Sequence, residues 1–242
     1  MRVALISDLH GNELALKAVL ADIRQRGADQ IVCLGDVATL GPHPSATLSC
    51  LRELGCVCIL GNHDEYLLDF ERARTYARVP VLLDSIRWTS EQLSPADREF
   101  IASFRRGLSV PLAEAHELRL FHGAPGSNET DLLATTAPDL LDGMLGGELS
   151  SVMAGGHTHI QMLRQHRGSW LVNPGSVGMP FKEFVNHREP EILAHAEYAI
   201  VSHSAGALSV ELRRVDLDRR ALHSAALSSD NPLAPSLAAM YA

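Results

Sequence analysis

The chain has 242 residues, 46% of them hydrophobic and 21% charged, with a formal net charge of −8. That length allows a sizeable core, and that balance excludes a disordered, fibrous or membrane-embedded chain. The excess of acid excludes a general nucleic-acid-binding surface, which needs clustered Lys and Arg. It does not exclude an anionic substrate, because bound divalent cations reverse the local sign. No apolar run reaches bilayer length, and no basic region with a continuous hydrophobic segment opens the chain, so a cytoplasmic location without membrane association is expected. Cys33, Cys56 and Cys58 lie in apolar strand-like runs and Cys50 ends a predicted helix, so all four read as reduced thiols.

Val3 to Ile6 is an apolar run that enters the turn Ser7-Asp8-Leu9-His10-Gly11-Asn12, and apolar residues then recur at helical spacing from Leu14 to Ile23. This predicts a buried strand, a sharp turn and a helix. Two positions apart in an extended run, Asp8 and His10 point to one side and converge on one ion. Gly11 permits the turn and Asn12 is a good N-cap. Taken alone, the stretch reads equally well as an ordinary capped turn.

A second apolar run, Asp29 to Leu34, ends in Gly35-Asp36; a helix follows from Pro44 to Leu54. A third, Cys56 to Leu60, ends in Gly61-Asn62-His63-Asp64. Strands alternating with helices imply parallel pairing and right-handed crossovers, which bring the polar turns to the carboxyl edge where ligands collect. Residues 66–106 read as a helical cover that starts a new helix at Ser94-Pro95-Ala96-Asp97.

Further on, a strand from Glu117 to Phe121 ends in His122-Gly123, and Ser127 to Thr136 is a polar loop. Pro138 to Leu145 is a helix, and Ser151 to Ala154 a strand that ends in Gly155-Gly156-His157-Thr158-His159. Two hairpins follow, turning at Arg167-Gly168 and Ala205-Gly206. Beyond Asp216 the tail predicts one helix and a loose end near Asn231-Pro232. With no repeat or linker, residues 1–242 form one expected domain.

The strand-end residues are Asp8, His10, Asp36, Asn62, His63, His122, His157 and His159. Carboxylate, imidazole and amide oxygen together suit first-row divalent metals. Leaving His63 aside, these are too many donors for one tetrahedral ion and suit two ions sharing a carboxylate. Two metals about 3.5–4 Å apart hold a bridging hydroxide and clamp both ends of an in-line displacement at phosphorus. His63 follows a ligand directly and is placed to protonate the leaving oxygen or stabilise phosphoryl charge. Singly, His122 reads as a structural histidine and Asn62 as a turn former. His43, His116, His166, His187, His195, His203 and His223 default to surface or supporting roles, with His43 and His195 candidates for a substrate rim. Trp88 and Trp170 read as core.

The ordered set D-x-H, G-D, G-N-H-D, H-G and G-H-T-H resembles the calcineurin-like metallophosphoesterases. With Leu171-Val172-Asn173-Pro174-Gly175-Ser176-Val177-Gly178 it is similar to their bacterial and archaeal phosphodiesterase branch. The resemblance runs from Met1 to about Arg213. It implies an α/β fold of two packed mixed β-sheets flanked by helices, a four-layer αββα sandwich. It also implies that Asp8, His10, Asp36 and His159 hold one metal and Asp36, Asn62, His122 and His157 the second, with His63 the non-ligand catalytic histidine. The implied cofactors are two divalent ions, manganese first, with iron, zinc, cobalt or nickel also suited to the donors. The implied activity is hydrolysis of a small phosphorylated or nucleotide substrate, a phosphodiester or related ester, by attack of a metal-bridging hydroxide. A dinucleoside polyphosphate hydrolase, a phosphoprotein phosphatase and a catalytically silent binding scaffold of the same fold remain alternatives, and oligomeric state is open. Two departures matter. Gly35-Asp36 is followed by Val37-Ala38-Thr39-Leu40, without the arginine-bearing stretch of the protein phosphatases and their symmetrical dinucleoside-tetraphosphatase relatives, and the next motif ends in Asp64 where those have Glu; Pro180-Phe181-Lys182 stands where the branch often has Pro-Arg. Lys182 is a candidate point charge there, without Arg's bidentate geometry.

Overall fold

The computed structural model describes residues 1–76, 79–185 and 189–242. The chain runs β1 (Arg2–Ile6), α1 (Glu13–Arg26), β2 (Gln30–Cys33), α2 (Pro44–Glu53) and β3 (Val57–Cys58), then α3 (Asn62–Leu68), α4 (Phe70–Tyr76), α5 (Pro80–Gln92) and α6 (Pro95–Ala102). It continues through β4 (Leu108–Ala113), β5 (His116–Leu120), α7 (Pro138–Leu145), β6 (Val152–Ala154), β7 (Met162–His166) and β8 (Ser169–Asn173). β9 (His195–Ser204), β10 (Ala207–Asp216), α8 (Arg219–Leu227) and α9 (Ala234–Tyr241) complete it. Two five-stranded sheets result, ordered β10-β9-β1-β2-β3 and β4-β5-β6-β8-β7. Each is mixed: β1, β2 and β3 are parallel with β9 antiparallel to β1, and β5, β6 and β8 are parallel with antiparallel β4 and β7 at the edges.

The apolar run of β1 is explained by burial on both faces. Val3 and Leu5 meet Leu118, Leu120, Val152, Ala154 and Val172 between the sheets. Ala4 and Ile6 pack on the other face with Leu16, Val19 and Ile23 of α1. The second sheet is covered by α7, through Leu141 and Leu145 on Met153, Met162 and Leu171. Layers of helix, sheet, sheet and helix follow, as expected. Leu5→Ala should cost about 2–5 kcal/mol through the cavity left between two rigid sheets. Urea unfolding checks this; a cost under 1 kcal/mol would mean that the sheets close over the gap.

Several elements differ from expectation. Strand β4 was not predicted because Pro111 interrupts its pattern; it lies at a sheet edge, where a residue without an N–H is tolerated. Helix α3 begins at Asn62, so Asn62 and His63 occupy a helical first turn rather than a loop. The tail is two helices, and Asn231 is no loose end: its Nδ2 donates to Gly41 O (3.1 Å) and its Oδ1 accepts from Ser85 Oγ (2.8 Å). Leu222, Leu237 and Tyr241 pack there with Met179 and Ile192. The four cysteines are free thiols, Cys33, Cys56 and Cys58 buried. Among the described residues no helix is long and apolar enough to cross a membrane. His187 lies outside the described residues. His195 pairs with Glu197 (3.0 Å) and His43 occupies the N-cap position of α2 without a side-chain capping bond, while Lys182 is tied to Glu191 (2.8 Å).

Candidate metal centre

The polar turns leave the carboxyl ends of β1, β2 and β3 on one edge of the first sheet, as expected, and of β5 and β6 in the second, so the full set comes together from two sheets. Two clusters form: Asp8, His10 and His159, and Asp36, His122 and His157. Asn62 completes the second, its Oδ1 lying 3.1 Å from His122 Nε2 and 3.0 Å from His157 Nδ1. Asp36 sits between them, with Oδ2 3.4 Å from His122 Nε2 and 3.9 Å from His10 Nε2. His10 and His159 approach at 3.0 Å between Nε2 atoms, and Asp8 Oδ1 is 3.3 Å from His159 Nε2.

The way Asp8 and His10 converge is not the one expected. Both lie beyond β1, and both have left-handed backbone, φ 53° and 44°. So do Asp36 (56°), His157 (70°) and His159 (57°). Asp and His enter this region more readily than most side chains, but it is sparsely populated and costs free energy. Five strained residues at one focus are held by their surroundings. Asp8 N donates to Gly35 O and His10 N to Asp36 O, both at 2.9 Å. Ser176 Oγ donates to Asp8 O (2.7 Å), and Asn173 Nδ2 to Gly156 O (2.7 Å), which gives the Asn173–Gly178 loop a supporting role. A Cβ on Gly156 would collide with Ser7 Oγ and Asp8 Oδ2, so only glycine lets the chain pass this close.

The donor set fits divalent cations. His122 Nδ1 donates to Leu34 O (2.6 Å) and His159 Nδ1 to Met179 O (2.7 Å). A carbonyl only accepts, so these bonds place a proton on Nδ1 and aim each Nε2 at the cluster, as ligation requires. Asp8 Oδ1 is buried and, among the described residues, accepts no hydrogen bond of good geometry. Burial would raise the Asp8 pKa, but the His159 ring outweighs it and brings it down to about 2. Asp36 is held well below the usual carboxylate range, with His122 and His63 opposing burial. Burial pulls His10 down to about 3 and His157 to about 4, leaving both rings neutral at neutral pH. His122 is pushed up to about 10 by Asp36 against burial, and Asp8 raises His159 in the same way. A cation would displace those Nε2 protons.

His63 stands beside both clusters. Its backbone N–H donates to Asp36 Oδ1 (2.9 Å), and its ring meets His10 edge-on at 5.2 Å between centroids. Burial lowers its pKa, opposed by Asp36.

Asp64 was not read as a site residue, yet it joins two of the turns. Its carboxylate accepts from the N–H groups of Asp36 (2.8 Å), Val37 (2.9 Å) and Gly61 (2.9 Å). Burial and the Asp36 charge push it up to about 7, against these donors. The G-N-H-D spacing was its one signal in the sequence.

Residues 1–197 match the family model described as the calcineurin-like phosphoesterase superfamily domain. The chain belongs to that superfamily. A relative in Methanocaldococcus jannaschii, itself uncharacterised, is 29% identical over 194 residues, 74% of this chain and 76% of its own. A symmetrical bis(5′-nucleosyl)-tetraphosphatase of Thioalkalivibrio sulfidiphilus is 37% identical over 71 residues, 28% of this chain and 26% of that one. Among solved structures, a metallophosphoesterase from Sphaerobacter thermophilus superposes with TM-score 0.74 at 23% identity, over 99% of both chains. A protein of Pyrococcus horikoshii gives TM-score 0.80 at 17% identity, over 99% of this chain and 97% of its own. At such identities these two structures speak for the fold. They agree with the two mixed five-stranded sheets described above, and members of this superfamily are typically dimetal-dependent.

Proposed function

We propose that the protein is a dimetal-dependent phosphoesterase that hydrolyses a small phosphodiester or related phosphate ester. The observation that carries the reading is the meeting of two donor clusters at the shared Asp36, with His63 beside them and outside both. In this reading Asp8, His10 and His159 hold one cation, Asn62, His122 and His157 the other, and Asp36 both. Manganese is the first ion to try, with iron, zinc, cobalt and nickel also suited to the donors. When bound, such a pair polarises a phosphoryl oxygen and acidifies water. The chain's own residues fix the donors in place, keep His10 and His157 neutral, and hold the His63 ring where a leaving oxygen can take its proton.

A second reading, hydrolysis of dinucleoside polyphosphates, is favoured by the partial match to the tetraphosphatase. The protein phosphatase reading is weaker, since Val37-Ala38-Thr39-Leu40 supplies no arginine after Asp36. Reconstituted with Mn, Fe, Co, Zn or Ni, the protein should release 4-nitrophenol from bis(4-nitrophenyl) phosphate. A panel adding diadenosine tetraphosphate, cyclic nucleotides and phosphopeptides sorts the substrates. No turnover with any ion would sink the enzymatic reading in favour of a binding scaffold.

A further inference from the structure

Each of the four histidines in the two clusters has an outer ring nitrogen that turns away from the donors. For three of them its partner belongs to the core near β1, β2 and the Asn173–Gly178 loop: His10 Nδ1 meets Thr39 Oγ1 at 3.3 Å, His122 Nδ1 meets Leu34 O, and His159 Nδ1 meets Met179 O. His157 differs. Its Nδ1 is the inner atom, and its Nε2 lies 3.4 Å from Oδ1 of Asp131, a half-exposed residue of the polar loop between β5 and α7.

The same loop reaches Asn62 by another route. Tyr66 Oη donates to Glu129 Oε1 (2.9 Å), and Asn62 Nδ2 donates to Tyr66 Oη (3.3 Å). The order of donation is forced from the outside. An ionised Glu129 only accepts, so the phenol proton points to it, and the phenol oxygen is left to accept from the amide nitrogen of Asn62. That fixes the amide with Oδ1 toward His122 and His157, where a cation would need an oxygen. Two acids of one loop therefore orient two donors of the second cluster and, among the contacts described, none of the first.

We propose that Glu129 and Asp131 are positioning residues that set the cation affinity of the second cluster selectively, with Glu129 acting through Tyr66 on Asn62 and Asp131 directly on His157. This rests on the dimetal reading. Partners of this kind change metal affinity by about 10–100-fold when removed. Both side chains are exposed enough for their removal to leave the core intact.

The test is calorimetric titration of the metal-free full chain with Mn²⁺. In an Asp8→Asn background, which cripples the first cluster, Asp131→Ala or Glu129→Ala should weaken the remaining site by about 10–100-fold. In an Asn62→Ala background, which cripples the second, Asp131→Ala should change nothing. Asp131→Asn and Glu129→Gln keep an oxygen acceptor and should recover most of the loss. Asn128→Ala is the control for loop order, because its Nδ2 donates to Glu65 Oε2 (3.1 Å) and not to a cluster residue. Equal loss at both clusters, loss in the Asn62→Ala background, or an equal effect of Asn128→Ala would overturn the proposal. A wild-type chain that binds no Mn²⁺ would instead remove the dimetal reading and this proposal with it, whereas two unperturbed sites in every variant would remove the proposal alone.

Discussion

Replacing His63 with alanine is expected to lower turnover by about 10²–10⁴-fold on an ester with a poor, alkoxide-like leaving group, while the neighbouring donors keep their metal. The substitution leaves the backbone untouched, since the bond from His63 to Asp36 Oδ1 is made by the main-chain N–H. Alanine is also well suited to the first turn of α3. What is lost is the ring set edge-on to His10. Burial lowers its pKa, so the ring needs a neighbouring negative charge to carry a proton. Asp36 supplies part of that bias, and a bound phosphate ester would add to it. The distinguishing observation is the dependence on leaving group. A 4-nitrophenolate departs without help, so the loss on bis(4-nitrophenyl) phosphate should be much smaller than on an alkyl ester. Equal losses on the two would point to a role in binding the phosphoryl group, and full activity on the alkyl ester would end the acid role.

The eight residues gathered at the site were legible in the sequence because their types are costly to bury and each stands just past an apolar run. The geometry that gathers them was not. An alternating strand explained Asp8-x-His10 by period two, whereas left-handed φ at both residues does the work. Backbone sign is invisible in side-chain periodicity, except through glycine. The start of α3 was missed because its first turn, carrying Asn62 and His63, follows a glycine directly, and β4 because Pro111, tolerated at the sheet edge, interrupts its pattern. The core was easier: Val3 to Ile6 reads as buried on two faces and is. Outer contacts were the hardest to foresee. Asp64 binds N–H groups 27 and 28 residues earlier, and Asp131 touches a histidine on another strand end. Beyond the G-N-H-D spacing for Asp64, no local pattern marks either acid as different from a solvated one.

Asp36→Asn should be the most damaging single change, abolishing measurable phosphoester hydrolysis and the response of stability to metal together. Asp8 and Asp36 are both fully buried, as is Asp64. Asp64 is balanced by three backbone N–H groups, whereas in the metal-free chain Asp8 Oδ1 and Asp36 Oδ2 are balanced by the protons they draw onto His159 Nε2 and His122 Nε2. A cation replaces those protons. Binding to the folded chain alone then stabilises it by about 2.7 kcal/mol at a free concentration one hundred times Kd. For a chain of this length that corresponds to a rise in Tm of about 2–4 °C for each kcal/mol. Asparagine is isosteric and keeps an oxygen to accept from the His63 N–H, so the turn should persist. With the shared charge gone, retained metal should fall below that of Asp8→Asn, which spares the second cluster. Added Mn²⁺ should barely move the Tm of this variant. Metal content after dialysis and melting with and without Mn²⁺ check both points. Two tightly held ions in Asp36→Asn would mean that neither cluster needs the Asp36 charge, and one tightly held ion that Asp36 belongs to one cluster alone.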